Sequence, residues 1–231
     1  MADDWVSLVL VALVLALSAW MLSRSQHANQ PNGMQGAFNR QTPVDPSATA
    51  RAGHCKLIQS DTLTPAQKKM HVHLPLRAGV RPITMSGNLL LDHASPPAFN
   101  EAAVATVVDL IAVSDVFLLF RVQNEEHKRD ILQAIGQIPQ FAWNPTTQMG
   151  LQVHKILFCS SSAGNIALVR QIEPVVHIEG KQDVTVGLRP FLPSIVFLSP
   201  IYELPAQTSS TGRDSVEWHQ SLDAYYLTLT A

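Results

Sequence analysis

A chain of 231 residues is long enough for one domain of ordinary size plus extensions, and with 46% hydrophobic residues it can bury a real core. A formal net charge of −2, with no basic stripe interleaved with aromatics, argues against a nucleic-acid binder. The two cysteines, Cys55 and Cys159, make neither a disulfide framework nor a zinc-spaced Cys/His cluster, which suits a reducing compartment.

The first element is apolar. Residues 1–4 form a short acidic start, and from Trp5 to Leu22 no residue is charged. At 1.5 Å per residue this stretch spans about 27 Å, enough for a thin bilayer. Trp5 and Trp20 sit near its ends, where amphipathic rings favour headgroups. A cleaved signal peptide wants a basic start and a small-x-small exit, whereas here Asp3 and Asp4 precede the stretch and Trp20 stands at the exit. The stretch is apolar on every face, so it reads as a transmembrane anchor. Arg24, Arg40 and Arg51 follow it, and the positive-inside rule then keeps the C-terminal part in the cytosol and puts the N-terminus across the membrane.

Residues 23–78 are rich in Gln, Asn, Pro, Ser and Thr and lack a sustained apolar period. They read as a flexible linker, because such a segment buries too little apolar surface to offset its ordering entropy. His71 and His73 would share one face of an extended chain, but no third metal ligand is near. They read as exposed linker histidines.

Over residues 79–199 apolar runs alternate with helical patterns. This predicts an α/β domain, a Rossmann-like parallel sheet of about five strands with helices on both faces. The first strand lies within "PITMSGNLLLD", Pro82–Asp92. Ser95 is placed to cap a helix that takes Pro96 and Pro97 in its first turn. Its apolar stripe is Phe99, Ala103, Val107, Leu110 and Ile111. Val116–Val122 is a near-continuous apolar run, as expected of a strand covered on both faces. Asn124 caps the next helix, with Glu125 and Glu126 at the positive end of its dipole. Ile131, Leu132, Ile135 and Ile138 form its buried stripe, and Pro139 stops it.

A third strand, Val153–Cys159, leads into "CSSSAGN" and a helix presenting Ile166, Val169 and Ile172 to the core up to Pro174. A fourth strand, Val175–Ile178, a weaker helix, Asp183–Phe191, and a fifth strand, Ser194–Leu198, complete the pattern. Thr185 and Gly187 weaken the helical reading of that stretch. Residues 200–231 read as a tail in which Val216, Trp218, Leu222, Tyr225 and Tyr226 form a docking helix.

The loops where an α/β enzyme keeps its chemistry lack the required residues. After the third strand there is one glycine, Gly164, and no lysine, so a phosphate-cradling G-x-x-x-x-G-K-[ST] loop is absent. A cysteine phosphatase needs Arg six positions after its Cys to grip phosphate with two hydrogen bonds, and Asn165 stands there. No G-x-G-x-x-G follows the first strand, and no G-x-S-x-G elbow exists. A haloacid-dehalogenase-type phosphotransferase wants aspartates at i and i+2 after the first strand, whereas Asp92 is followed by Ala94.

Ser161 or Ser162 therefore reads as a helix cap, Gly164 as room for the first turn, and Cys159 as a small buried hydrophobe. A reactive thiolate at that helix N-terminus is the competing reading of Cys159. His154 and His177 read as packed or surface histidines. No catalytic, cofactor-binding or metal-ligating residue is expected, and no partner-binding residue is assigned.

The runs "SDVFLLFRV" and "KILFCSSSAGNIALVRQIEPVVHIE" resemble the plant-type peroxisome biogenesis protein 22 (peroxin-22) family. The correspondence falls on Asp115–Leu118, Ile156–Cys159, Val169–Pro174 and His177–Ile178, within about Arg81–Phe197. The resemblance implies a single-pass peroxisomal membrane protein whose cytosolic domain recruits and stimulates a ubiquitin-conjugating enzyme, peroxin 4, for monoubiquitination and recycling of the import receptor. It implies no enzyme activity, cofactor or small-molecule substrate. The alternative is a membrane-anchored α/β hydrolase or phosphatase with an unfamiliar site, and a third reading is an adaptor unrelated to ubiquitin.

Overall fold

The structure is a computed structural model, and it describes residues 58, 60–92, 96–201 and 215–231. All of them lie in the unit Ala50–Ala231. The apolar stretch Trp5–Leu22, most of the linker, Cys55, Ser95 and residues 202–214 lie outside the described residues. Among the described residues no helix is long and apolar enough to cross a membrane.

A parallel sheet of six strands organises the domain, in the order β3-β2-β1-β4-β5-β6. The strands are β1 (Pro82–Ser86), β2 (Asp115–Arg121), β3 (Ile156–Cys159), β4 (Val176–Glu179), β5 (Ile195–Leu198) and β6 (Val216–His219). The sequence predicts about five. The sixth is short and polar at alternate positions, "VEWH", and pairs in parallel with β5 from Ile195↔Val216 to Leu198↔His219. The Trp218 indole N–H anchors it by donating to the Ser199 carbonyl at 2.9 Å.

Helices cover both faces. On one side lie α1 (Pro65–His73), α2 (Glu101–Val113), α3 (Glu125–Gly136) and α6 (Leu222–Thr230); on the other lie α4 (Ser162–Ile172) and α5 (Gln182–Leu188). The two-residue period of β2 divides its side chains between them. Val116, Leu118 and Phe120 enter the larger core, and Phe117 and Leu119 the smaller.

Helix α1 corrects the linker reading. Its sequence has a weak apolar stripe but a strong start signal. Thr64 and Gln67 form a reciprocal capping box, at 3.2 and 3.0 Å, with Pro65 in the first turn. Met70 is wholly buried, and α1 packs against α2 and α6. Asp109 on α2 fastens all three helices, accepting from Gln67 Nε2 at 2.8 Å and from the Tyr226 hydroxyl at 2.7 Å. That hydrogen bond pushes the Tyr226 hydroxyl pKa up to about 12. His71 and His73 lie on a helix, not a strand, so they do not share a face. His71 accepts from Arg81 Nη1 at 2.8 Å, and His73 donates from Nδ1 to the Leu229 carbonyl at 2.9 Å.

The tail reading is half right. Ser221 caps α6 by accepting from the Ala224 N–H, and Leu222, Tyr225 and Leu229 are buried, while Val216 and Trp218 belong to the strand instead. The first long helix starts at Glu101, capped by Asn100 rather than Ser95, because Pro96 and Pro97 precede a short bridge between Leu91 and Phe99. The expected stripe is buried from Ala103 to Ile111. On α3, Ile131 and Ile135 are buried as expected, and Leu132 is exposed.

Candidate functional site

In an open parallel sheet, ligands bind outside the carboxyl ends of the strands where the strand order reverses. Here the chain runs outward from β1 to β3 and then crosses to β4 on the other side of β1, so the reversal lies at β1 and β4. The carboxyl ends of β1, β2, β3 and β4 surround a cleft of about 400 Å³ lined by Asn88, Arg121, Gln123, His127, Ser160 and Lys181 among others.

Strand β1 ends at Ser86, six residues before Asp92, and the chain then turns through a 3₁₀ helix, Gly87–Leu90. Positions i and i+2 at this strand end are therefore Ser86 and Asn88. The apolar pattern that points to Asp92 and Ala94 runs past the true strand end into the 3₁₀ helix. The substituents are an alcohol and an amide, and the amide is committed to structure. Asn88 Oδ1 accepts from the Arg121 N–H at 2.8 Å, and its Nδ2 donates to the Arg121 carbonyl at 3.3 Å. Between them Gly87 is required, because a Cβ there would lie 2.4 Å from the Phe120 ring. Asp92 is an exposed residue whose N–H donates to the Ala98 carbonyl.

The loop after β3 is a capped turn, as its sequence predicts. Ser161 accepts from the Gly164 N–H at 3.1 Å and caps α4. A Cβ on Gly164 would stand 3.3 Å from that of Cys159. Burial pushes the Cys159 thiol up, outweighing the Ser161 N–H and Arg121, so it stays protonated at neutral pH. Ser162 does not cap. Its hydroxyl accepts from Arg121 Nη1 at 3.1 Å and donates to the Asp183 carboxylate. The Ser162 hydrogen bond is the main cause that holds the Asp183 carboxyl below its usual range.

Beneath the cleft, on the α4–α5 face, lies a buried polar cluster that the sequence reading missed. His177 and Glu179 on β4, Thr84 on β1 and Asn165 on α4 are all buried. Thr84 Oγ1 and His177 Nδ1 are 2.8 Å apart. Glu179 accepts from the Gly180 and Lys181 N–H groups at 2.8 and 3.0 Å and from Asn165 Nδ2 at 3.3 Å. The alternation of β4 carries the signal: His177 and Glu179 share one face, while Val176 and Ile178 face the larger core. This carboxylate is consumed by backbone amides that close the β4–α5 turn. His154 is exposed in a 3₁₀ turn. Among the described residues no group of three or more His, Cys, Asp or Glu could hold a metal ion.

A larger groove of about 910 Å³ lies away from the strand ends, between α2 and the C-terminal end of α3. Its lining is mostly Pro, Ala and aliphatic, including Pro97, Val104, Val108 and Ile138, with Glu101, Asp109, Gln137 and Gln140 among the rest.

A family model described as "Peroxisome biogenesis protein 22, Haloacid dehydrogenase-like domain" matches residues 76–217. The chain belongs to the peroxisome biogenesis protein 22 family. A protein of Arabidopsis thaliana named Peroxisome biogenesis protein 22 is 29% identical over 110 residues, which cover 45% of this chain and 37% of that protein. The alignment thus spans little more than a third of the relative. Membership in the peroxisome biogenesis protein 22 family supports a role in peroxisome biogenesis, and the six-stranded parallel sheet agrees with a haloacid dehydrogenase-like domain. It also gives the strand-end residues their meaning. A phosphotransferase of this fold type needs paired aspartates after its first strand, and this member of the peroxisome biogenesis protein 22 family has Ser86 and Asn88.

Proposed function

We propose that this chain is a peroxisomal membrane anchor and activator that recruits a ubiquitin-conjugating enzyme, peroxin 4, for monoubiquitination and recycling of the import receptor. Family membership together with Ser86 and Asn88 in place of two aspartates carries the reading. A catalyst places groups where charge develops. At the cleft Asn88 is bonded to the β2 backbone, while Asp183 is bonded to Ser162 and the buried Glu179 beneath the cleft to the β4–α5 turn. The domain acts by binding. A partner that prefers the enzyme's active conformation raises that population by its differential affinity for it. An anchor through Trp5–Leu22 holds the enzyme near membrane-bound substrate and raises its effective concentration without new contacts.

The docking face is the outer surface of α4 and α5. Phe191, just beyond α5, is 52% exposed, and the Arg170 guanidinium lies over its ring at 3.9 Å from the centroid. Exposed aromatic and arginine side chains are the residue types that dominate binding energy at interfaces. Two experiments test the proposal. A pull-down with residues 50–231 against the ubiquitin-conjugating enzymes of the same cell should retain one of them. Protease added to intact organelles should digest the domain, and full protection would refute the cytosolic placement.

A further inference from the structure

The cleft at the strand ends has a wall that is basic without being acidic. Its basic groups come from separate elements. Arg121 closes β2, His127 stands in the first turn of α3, and Lys181 lies in the turn between β4 and α5. Among the described residues no Asp or Glu lines the cleft. These groups are not used up inside the protein. Arg121 donates from Nη1 to the Ser162 hydroxyl at 3.1 Å, which leaves most of its N–H groups over. Among the described residues the Lys181 ammonium and the His127 imidazole have no hydrogen-bond or ion-pair partner, and the bonds of both residues are made by their backbones. Nearby acids are committed elsewhere. Glu179 is buried in the β4–α5 turn, Asp183 accepts from Ser162, and Glu125 pairs with Lys128 at 3.1 Å. Arg121 and Lys181 both act on the Asp183 carboxylate and on the Cys159 thiol, so the two cations converge on one place.

We propose that this cleft binds a phosphate dianion, as the free ion or as the head of a small monoester, and holds it without turning it over. A guanidinium fork and an ammonium are the side chains that match phosphate oxygens. Arg121, Lys181 and His127 offer donors from three directions, which suits a group with three acceptor oxygens and two charges better than a carboxylate with two oxygens and one. The helix behind the cleft adds to the attraction. Ser160 lies on the wall two residues ahead of α4, so the positive end of that helix is at the site. The cleft volume of about 400 Å³ falls among small-molecule sites, roughly 300–1,000 Å³, so the organic part of an ester fits beside its head. Ser86 and Asn88 account for retention without reaction, since neither supplies a carboxylate to attack phosphorus. The site goes beyond the recruiting role and does not depend on it.

The test uses residues 50–231, a unit that contains every described residue and both apolar cores. Inorganic phosphate, glycerol phosphate and acetate are titrated separately in a chloride buffer, with binding read by calorimetry. Both phosphates should saturate at one per chain with a Kd of about a millimolar or tighter, and acetate should bind at least about tenfold more weakly. Lys181→Gln should weaken phosphate binding about tenfold, the loss of one charge-assisted hydrogen bond, with the urea midpoint unchanged because the ammonium has no partner in the fold. Lys68→Gln removes the same charge from an exposed position on α1, outside the cleft wall, and should change binding by less than about twofold, since solvent screens exposed charges. Tighter binding of glycerol phosphate than of inorganic phosphate identifies an ester as the ligand, and equal binding identifies the free ion; both uphold the phosphate site. No saturable binding, acetate as tight as phosphate, Lys181→Gln binding like the wild type, or an equal loss in Lys68→Gln would overturn it. Glycerol phosphate should also be recovered intact, and its hydrolysis would overturn the claim that the cleft only binds.

Discussion

Gly87→Ala probes the packing that sets the floor of the cleft. The added Cβ would lie 2.4 Å from Phe120 Cε1 and Cζ and 2.7 Å from Cδ1, where carbon contacts normally settle at about 3.5–4.0 Å. Phe120 has no room to yield. It is wholly buried, stacked on Phe158 at 5.8 Å and met edge-on by Phe99 at 6.2 Å. Overpacking of this kind costs about 1–3 kcal/mol. In a domain of this size that is a fall in Tm of about 2–4 °C for each kcal/mol. Urea denaturation of residues 50–231 should show a lower midpoint with an unchanged slope. Phe120→Leu makes room, so in the Gly87→Ala background it should cost at least about 1 kcal/mol less than in the wild type, a coupling expected only of groups in contact. A Gly87→Ala protein within about 0.5 kcal/mol of wild type, the range of a surface change, would refute the reasoning. So would additive effects of the two substitutions.

Met70→Ala should destabilise the domain by about 2–5 kcal/mol, because the side chain is fully buried under α2 and α6; a negligible change in the thermal midpoint would mean that α1 is not docked. Burial, and secondarily Arg81, lowers the His71 pKa in the folded state, so the unfolded chain binds the extra proton more readily. Stability from this residue is therefore full above the ordinary histidine value of about 6.5 and is lost as pH falls below it, and a His71→Gln protein should show a flatter stability profile over that window. Cys159→Ser should change the unfolding free energy from urea denaturation by less than about 1 kcal/mol and leave enzyme binding intact, since the thiol is half-buried and protonated; loss of function with the fold preserved would make it a working thiolate.

Elements with a long apolar period or run were legible in the sequence. Strand β2 and helices α3 and α4 lie within a few residues of their predicted positions, with Asn124 and Ser161 capping as read, and the apolar stripe of α2 is buried although that helix starts at Glu101, well past the expected cap at Ser95. Helix α1 was hidden because one buried residue, Met70, supplies its docking, and the rest of its anchorage is polar: Gln67 to Asp109 and Lys69 to the last carbonyls. Strand β6 was hidden because four residues of mixed polarity carry no period that distinguishes a strand from a helix turn. The site was misplaced for a related reason. The apolar run Leu89–Leu91 continues the texture of β1 past its end, but Gly87 turns the chain into a 3₁₀ helix. The buried cluster of Thr84, His177, Glu179 and Asn165 depends on register between β1 and β4, which pairs Thr84 with His177 and is not written in either segment alone.

Titrating peroxin 4 with residues 50–231 tests the central claim most directly, with complex formation and ubiquitin discharge read in the same samples. The account predicts a one-to-one complex tighter than tens of micromolar, roughly −6 to −7 kcal/mol, and faster discharge. It also predicts at least about tenfold weaker binding for Phe191→Ala, the loss of an interface anchor. No complex at tens of micromolar would contradict recruitment, and a complex without faster discharge would contradict activation.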